Sequence, residues 1–313
     1  MGKNIKLYDV PKIASIKDMV LHSAKRYSDK IALEDLLETP IPKVSYNSLL
    51  KNILKFGMAL NKIGLKERSR IAVIGENRVQ WGITYLTAMC FNHIIIPIDK
   101  KLNTNEILNV IHESDSEAIV FSEEFEPLMR EKKNSLKKLK YFISMDLPAA
   151  KDGFHSMTEM ILASKGFSTD ELPKINPNEL AVILFTSGTL GRSKGVMLSQ
   201  NNLATNLMDM VSMYFIYPED KFLSVLPIHH TYECTCGFLC PLYCGSSVHY
   251  ARSLKTIVED LQNVHATILL AVPLLYDKMF KRIYKTIKEN KMKSILVPQL
   301  VRATNFVEKF GWK

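Results

Sequence analysis

Short apolar runs alternate with longer amphipathic stretches along most of the chain, a pattern that predicts strands alternating with helices. Residues 15–28 place Met19, Val20 and Ala24 on one helical face, and Ile31-Ala32-Leu33 reads as a short strand. Ser45 stands where it can cap a long amphipathic helix carrying Leu49, Leu50, Ile53, Leu54 and Leu60. Residues 70–75 read as a buried parallel strand, 81–91 as a helix and 94–98 as a strand. Asn103 and Glu106 have capping-box spacing ahead of a helix over 107–112, and strands follow at 118–121 and 141–143. Residues 146–178, with Pro148, Pro173 and Pro177, read as a connecting segment with one short helix over 156–162.

A second alternating series follows. Strands are expected at 180–185, 222–226, 247–250 and 267–272. Helices are expected from Ser199 to about 214, after Thr231, over 254–264 and from Pro273, a residue suited to a first helical turn. The tail from Lys281 reads as helical and basic. These elements predict an α/β fold with two parallel-rich β-sheets flanked by helices. The expected boundary falls near residue 175, with a first α/β subdomain and connecting segment over 1–175 and a second subdomain over 176–313.

Composition narrows the field. Hydrophobic residues make up 47% and charged residues 23% of 313, an ordinary globular balance able to bury a core. Lys and Arg total 41 against 32 Asp and Glu, a formal charge of +9. Such a balance suits nucleic acid, an anionic membrane surface or a polyanionic small ligand. The lysines are dispersed, and their densest run, residues 132–140, reads as the solvated face of a helix. With no aromatic-basic motif beside the charge, nucleic acid is set aside as a partner.

Five cysteines are present, and Cys234, Cys236, Cys240 and Cys244 crowd together. They form no Cys-x-x-Cys pair and lie in apolar surroundings, so they read as small buried thiols rather than zinc ligands. The odd count and an N-terminus without an apolar stretch of signal length predict a reducing, cytoplasmic setting. The longest apolar run, residues 266–276, contains a proline and is too short to span a bilayer. Membrane contact, where it occurs, is expected to be peripheral, at the inner membrane face.

One segment carries the candidate chemistry. A buried strand, Leu180-Ala181-Val182-Ile183-Leu184-Phe185, runs into Thr186-Ser187-Gly188-Thr189-Leu190-Gly191-Arg192-Ser193-Lys194-Gly195-Val196. Gly188, Gly191 and Gly195 let the backbone approach an anion with its N–H groups. Thr186, Ser187 and Thr189 add hydroxyl donors, and Lys194 adds a mobile positive charge. A surface turn rich in Gly and Ser has the same composition, but a loop directly after a buried strand is where α/β proteins bind ligands. The spacing is neither that of a Walker A loop nor that of a dinucleotide fingerprint.

The segment resembles the signature of adenylate-forming (AMP-binding) enzymes, whose usual form is Thr-Ser-Gly-Thr-Thr-Gly-x-Pro-Lys-Gly-Val. Leu190 replaces a hydroxyl residue and Ser193 replaces the proline, which removes one phosphate donor and loosens the loop. Leu226-Pro227-Ile228-His229-His230-Thr231-Tyr232-Glu233 resembles Leu-Pro-x-x-His-x-Phe-Glu, the form typical of long-chain acyl-CoA synthetases. Gly75-Glu76-Asn77-Arg78, Trp81, residues 245–250 and residues 267–276 are also similar to family segments, so the resemblance covers essentially the whole chain.

The resemblance is strongest to a bacterial long-chain fatty acid–CoA ligase, N-terminal part. It implies ATP, Mg2+ and CoA as co-substrate, with fatty-acid carboxylate attacking the α-phosphate and CoA thiol then displacing AMP. It implies phosphate binding by Thr186, Ser187, Gly188, Thr189, Gly191, Lys194 and Gly195, with the Thr189 hydroxyl near Mg2+. It implies an acyl-side role for His230, Tyr232 and Glu233, His230 being the candidate catalytic residue without acting as a general base. The family's Gly-Gly-Ala-Pro and Tyr-Gly-x-Thr-Glu segments, ribose-binding Asp and C-terminal lid domain with its catalytic Lys are not found in these 313 residues. The chain is therefore expected to be catalytically incomplete alone. The rival expectations are a non-catalytic nucleotide- or acyl-binding fragment, half of a split enzyme, and a ligase for another carboxylic acid.

Overall fold

The computed structural model describes residues 7–165, 168–186, 194–289 and 291–309. In chain order the elements are α1 (Ile16–Tyr27), β1 (Ile31–Asp35), β2 (Lys43–Ser45), α2 (Tyr46–Ile63), β3 (Arg70–Ile74), α3 (Val79–Cys90), β4 (Ile94–Pro97), α4 (Thr104–Glu113) and β5 (Ala118–Phe121). Then come α5 (Glu126–Lys132), β6 (Tyr141–Ser144), β7 (His155–Ser156), α6 (Met157–Ala163), β8 (Leu180–Thr186), β9 (Lys194–Ser199), α7 (Gln200–Met213) and β10 (Lys221–Ser224). A π-helical turn (Glu233–Leu239) runs into α8 (Cys240–Cys244), followed by β11 (Ser247–Tyr250), α9 (Ile257–Val264), β12 (Ile268–Leu269), α10 (Pro273–Glu289) and α11 (Lys291–Lys309).

The strands form two sheets, ordered β12-β10-β11-β1-β2 and β7-β6-β5-β3-β4-β8-β9. All pairings are parallel except β1 with β2 and β8 with β9. The fold is thus α/β with two parallel-rich sheets, as the alternation predicts. Residue 175 does not separate the sheets: β1 and β2 join β10–β12 in one, and β8 and β9 join β3–β7 in the other. Local pattern marks strands, whereas pairing across some two hundred residues, such as Leu33 with Val248, has no local signal. Compactness divides the chain into one unit through Leu270 and another from Ala271.

Why the central strands are apolar throughout is visible in their two faces. Ile71 and Val73 of β3, Ile95 of β4 and Ala118 and Val120 of β5 enter one core, with Trp81, Tyr85 and Phe238. Their neighbours Ala72 and Ile74, Ile94 and Ile96, and Ile119 and Phe121 enter a second core against Ile107, Phe125 and Phe154. Successive side chains point to opposite faces, and both faces are covered, so polar alternation is absent. In the first core Trp81 stacks on Tyr85 at 5.5 Å, with Phe238 edge-on to both at 6.2 and 6.0 Å.

The expected caps form. Ser15, Ser45 and Ser199 accept from backbone N–H groups of the first turns of α1, α2 and α7, and Asn103 and Glu106 make a reciprocal capping box on α4. Several features depart from the sequence reading. The lysine-rich run 132–140, expected on a helix face, leaves α5 at Lys132 and continues through turns. An antiparallel strand, β9, lies between the candidate phosphate loop and α7, where the sequence led straight to a helix. The strand expected over 267–272 is confined to Ile268–Leu269. The helix expected after Thr231 begins as a π-helix.

In the unit from Ala271, α10 opens on Pro273 and α11 contains Pro298. Phe280 stacks on Tyr284 at 5.7 Å, and Lys288 lies over the Tyr284 ring at 4.8 Å. Among the described residues no helix is long and apolar enough to cross a membrane.

Candidate functional site

The phosphate-loop motif is flanked by an antiparallel strand pair, β8 and β9. β8 and β9 pair with Phe185 opposite Gly195 and Thr186 opposite Lys194, so both ends of the loop stand side by side. Ser187, Gly188, Thr189 and Gly191 lie outside the described residues. Thr186, Lys194 and Gly195 are all exposed, at the carboxyl end of β8. Gly195 has a packing reason of its own, because a Cβ there would lie 2.9 Å from Ile183 Cγ2. The motif thus sits at the strand end where open parallel sheets bind ligands.

A second loop leaves the carboxyl end of β10. It is fastened to the other sheet by Asn77, in the turn after β3. Asn77 Nδ2 donates to Ser224 Oγ at 2.9 Å and to the Leu226 carbonyl at 2.6 Å, while its Oδ1 accepts from Ile228 N–H at 3.0 Å. The adjacent Arg78, 3% exposed, forks onto the two Asp146 oxygens at 2.7 and 3.1 Å and also reaches Glu76 and Gln80. Gly75-Glu76-Asn77-Arg78 is therefore a splice: it ties the ends of β3, β6 and β10 together.

Within that loop the three acyl-side candidates diverge. His230 and Tyr232 are exposed, whereas Glu233 is 1% exposed and points inward. Glu233 Oε1 accepts from Ser224 Oγ at 2.6 Å, and its Oε2 has no hydrogen-bond partner among the described residues. Burial pushes the Glu233 carboxyl up to about 7. Asp35 behaves alike. It accepts from Val79 N–H at 2.9 Å and Thr39 Oγ1 at 2.6 Å, and burial raises it to about 7. The Tyr250 phenol is held well above its ordinary value by burial, with Asp35 and Glu233 adding to the effect.

The structure adds Asp99, which no motif announces. It follows β4, the neighbour of β8. Ile95 pairs with Val182, and four residues further along each segment stand Asp99 and Thr186. Asp99 Oδ1 accepts from Lys101 N–H at 2.9 Å and lies 3.4 Å from His229 Nε2. The rings of His229 and His230 are 4.1 Å apart. Burial lowers His229 to about 4, against the opposing pull of Asp99, so its imidazole is neutral at neutral pH. Ligand atoms of Asp99, His229 and His230 all lie within 4.8 Å of one another. This set, two imidazoles and one carboxylate, does not fit Mg2+, which takes oxygen ligands in octahedral geometry. The Mg2+ expected at Thr189 falls outside the described residues.

The clustered cysteines are free thiols. Cys234 and Cys240 are buried and Cys236 and Cys244 half-buried along the π-helical turn and α8. Burial pushes Cys234 up to about 12, which leaves it an inert packing group.

The AMP-binding enzyme family matches residues 20–303. A chloroplastic long-chain-fatty-acid–[acyl-carrier-protein] ligase of Arabidopsis thaliana is 28% identical over 291 residues, 87% of this chain and 40% of that protein. Fatty acyl-CoA synthetase A of Dictyostelium discoideum is 26% identical over 316 residues, 92% of this chain and 44% of that protein. The chain thus spans about two-fifths of the length of these relatives. Among solved structures, a long-chain-fatty-acid-CoA ligase from Archaeoglobus fulgidus superposes with a TM-score of 0.80 at 18% identity, over 91% of this chain and 56% of that one. The ATP-bound MatB of Rhodopseudomonas palustris gives 0.70 at 24% identity, over 84% and 50%. At such identities the superpositions establish the fold alone. On the family match across most of its length, the chain belongs to the AMP-binding enzymes.

Proposed function

We propose that this chain is the part of a long-chain fatty acid–CoA ligase that grips the phosphates of ATP and receives the acyl carboxylate. The carrying observation is that two motif-bearing segments, one after β8 and one after β10, follow strand carboxyl ends, and that Asp99, just past the β4 strand that pairs with β8, stands 3.4 Å from His229 of the second segment. In the first step fatty-acid carboxylate attacks the α-phosphate of ATP, giving acyl-AMP and pyrophosphate. In the second, CoA thiol attacks the acyl carbonyl and AMP leaves. Backbone N–H groups of the Thr186–Lys194 segment and the Lys194 ammonium neutralise the β- and γ-phosphates, work that is positional and electrostatic rather than covalent. His230, exposed at the mouth of the second segment, orients the acyl carboxylate. Glu233 is assigned a supporting role, since at 1% exposure it faces the core beneath that segment.

A second reading concerns the thiol. A relative named as an acyl-carrier-protein ligase favours a protein-bound phosphopantetheine thiol as an alternative acceptor to CoA. A third follows from the span of about two-fifths of the relatives' length, which favours a substrate-binding half completed by further polypeptide. The deciding experiment is palmitate-dependent exchange between ATP and pyrophosphate by the purified chain, with ATP binding measured in parallel. Exchange supports adenylation by these residues alone. Binding without exchange supports the incomplete ligase, and neither binding nor exchange overturns the proposal. Supplying CoA or acyl-carrier protein to an exchanging sample distinguishes the two acceptors.

A further inference from the structure

Asp99, His229 and His230 form a cluster whose combined geometry the fatty-acid ligase reading does not call for, although that reading gives His230 to the acyl carboxylate. We infer that these three side chains make a binding site for a divalent transition-metal ion of the Zn2+ class. The site stands on their geometry and does not need the ligase reading.

The first support is the Asp99–His229 separation. At 3.4 Å, Asp99 Oδ1 and His229 Nε2 are too far apart for a good hydrogen bond. Tetrahedral Zn2+, with bonds of about 2.0–2.1 Å, sets two donor atoms about 3.3–3.4 Å apart. The observed pair already stands at that separation. The second support is an unfulfilled donor. The His229 side chain is 9% exposed, yet its Nε2, 3.4 Å from Asp99 Oδ1, makes no hydrogen bond among the described residues. A buried polar atom without a partner is costly and calls for one. The third is His230, whose ring lies 4.1 Å from that of His229 and whose ligand atom is within 4.8 Å of the other two. It is exposed, so a side-chain rotation can close the remaining distance.

The setting suits one metal class. Two imidazoles with one carboxylate favour Zn2+, Co2+ or Ni2+ over Mg2+ or Ca2+. Three protein ligands leave a fourth position open to water or an anion. Asp99 is fixed by its bond from Lys101 N–H at 2.9 Å, so the carboxylate is aimed before any ion arrives. The Lys101 ammonium is the competing cation: its charge acts on His229 in the same sense as protonated His230. Metal binding must overcome it. The half-buried thiols of Cys236 and Cys244 are the rival ligands for such an ion.

Co2+ titration of the purified full chain, followed in the visible and near ultraviolet, tests the site. The expected result is one equivalent bound, with intense d–d absorption of a four-coordinate ion and no sulfur-to-metal charge-transfer band. Asp99→Asn and His230→Ala should each weaken Co2+ by more than the roughly 10–100-fold typical of losing an outer-shell partner. His230 is exposed, so its variant tests the ligand without threatening the fold, and circular dichroism melting verifies both variants. Failure to bind Co2+ and Zn2+ at stoichiometric concentration overturns the inference. So does a charge-transfer band, or binding unchanged in both variants, which would assign the ion to the cysteines. ATP binding measured in the same samples separates the metal site from the ligase reading: its loss with the metal site intact counts against the ligase reading only.

Discussion

On the β10 side of the candidate site, Asn77 makes three hydrogen bonds into residues 224–228, and Glu233 is packed at 1% exposure behind them. On the β8–β9 side, Thr186, Lys194 and Gly195 stand in the open, and the edge strand β9 also exposes Val196 at 46% and Met197 at 65%. One wall is fastened by side chains from the opposite sheet; the other ends on the edge strand β9, whose backbone pairs with β8. The difference suits the two tasks proposed for these walls. A carboxylate that must be presented in one orientation needs a fixed wall, because small misplacements are costly in rate. Polyphosphate, large and highly charged, can itself organise donors that converge on it.

If this contrast is right, substitutions on the fastened wall should cost stability and those on the open wall should cost binding. The largest effect is expected from Glu233. Its carboxyl is raised from 4.5 to about 7, so the neutral form is the one the fold prefers. The associated stability is fully present below about pH 4.5 and is lost as pH rises through about 7, roughly 3 kcal/mol in all. Asp35 acts in the same direction. Glu233→Gln should therefore remove about half of the fall in stability between about pH 5 and 8, as read from denaturant unfolding at each pH. An unchanged slope would sink the assignment.

Next in size, Asn77→Ala leaves Ile228 N–H and the Leu226 carbonyl without their partner and should cost about 2 kcal/mol. Urea unfolding would reveal it, and a loss under about 0.5 kcal/mol would mean that the splice does not bear on stability. Lys194→Ala should leave the unfolding midpoint in place while weakening ATP at least tenfold, about 1.4 kcal/mol, by calorimetry. Equal ATP affinity in this variant would remove the phosphate assignment. Smallest of all, Met197→Thr should change stability by less than about 0.5 kcal/mol and leave ATP binding alone. A large loss there would show that the edge of β9 is not free surface.

Much of the fold was legible because local physics repeats. Buried strands such as residues 71–74 and 118–121 read as apolar runs since both sheet faces are covered. Ser15, Ser45, Ser199 and the Asn103–Glu106 pair read as caps since short polar side chains satisfy first-turn N–H groups. β9 escaped because Lys-Gly-Val-Met-Leu-Ser, partly exposed on an edge, has no alternation to betray it. The π-helical stretch Glu233–Leu239 escaped because so short a widened segment leaves hydrophobic periodicity nearly intact. In the site, the hydroxyl and glycine run and the paired histidines stood out as motifs. Asp99 did not: it is one acid among 32 acidic residues, and its one clue is its place just past a buried strand. That Glu233 faces inward while His230 faces out was equally hidden, since His230 ends a loop and Glu233 lies in the helix after it, and no local pattern fixes the angle between them.

Gly237 bears on how this chain can drift over generations. A Cβ on it would lie 2.5 Å from Glu233 Oε1 and 2.6 Å from Cδ, in space that the carboxyl fills. Alanine at 237 therefore requires the Glu233 carboxyl to shift from its place beside Ser224, and an inward acid at 233 disfavours a side chain at 237. Positions 233 and 237 form one inherited unit: a lineage that loses the glycine is expected to have shortened or neutralised the acid, and a lineage that keeps the acid is expected to keep the glycine.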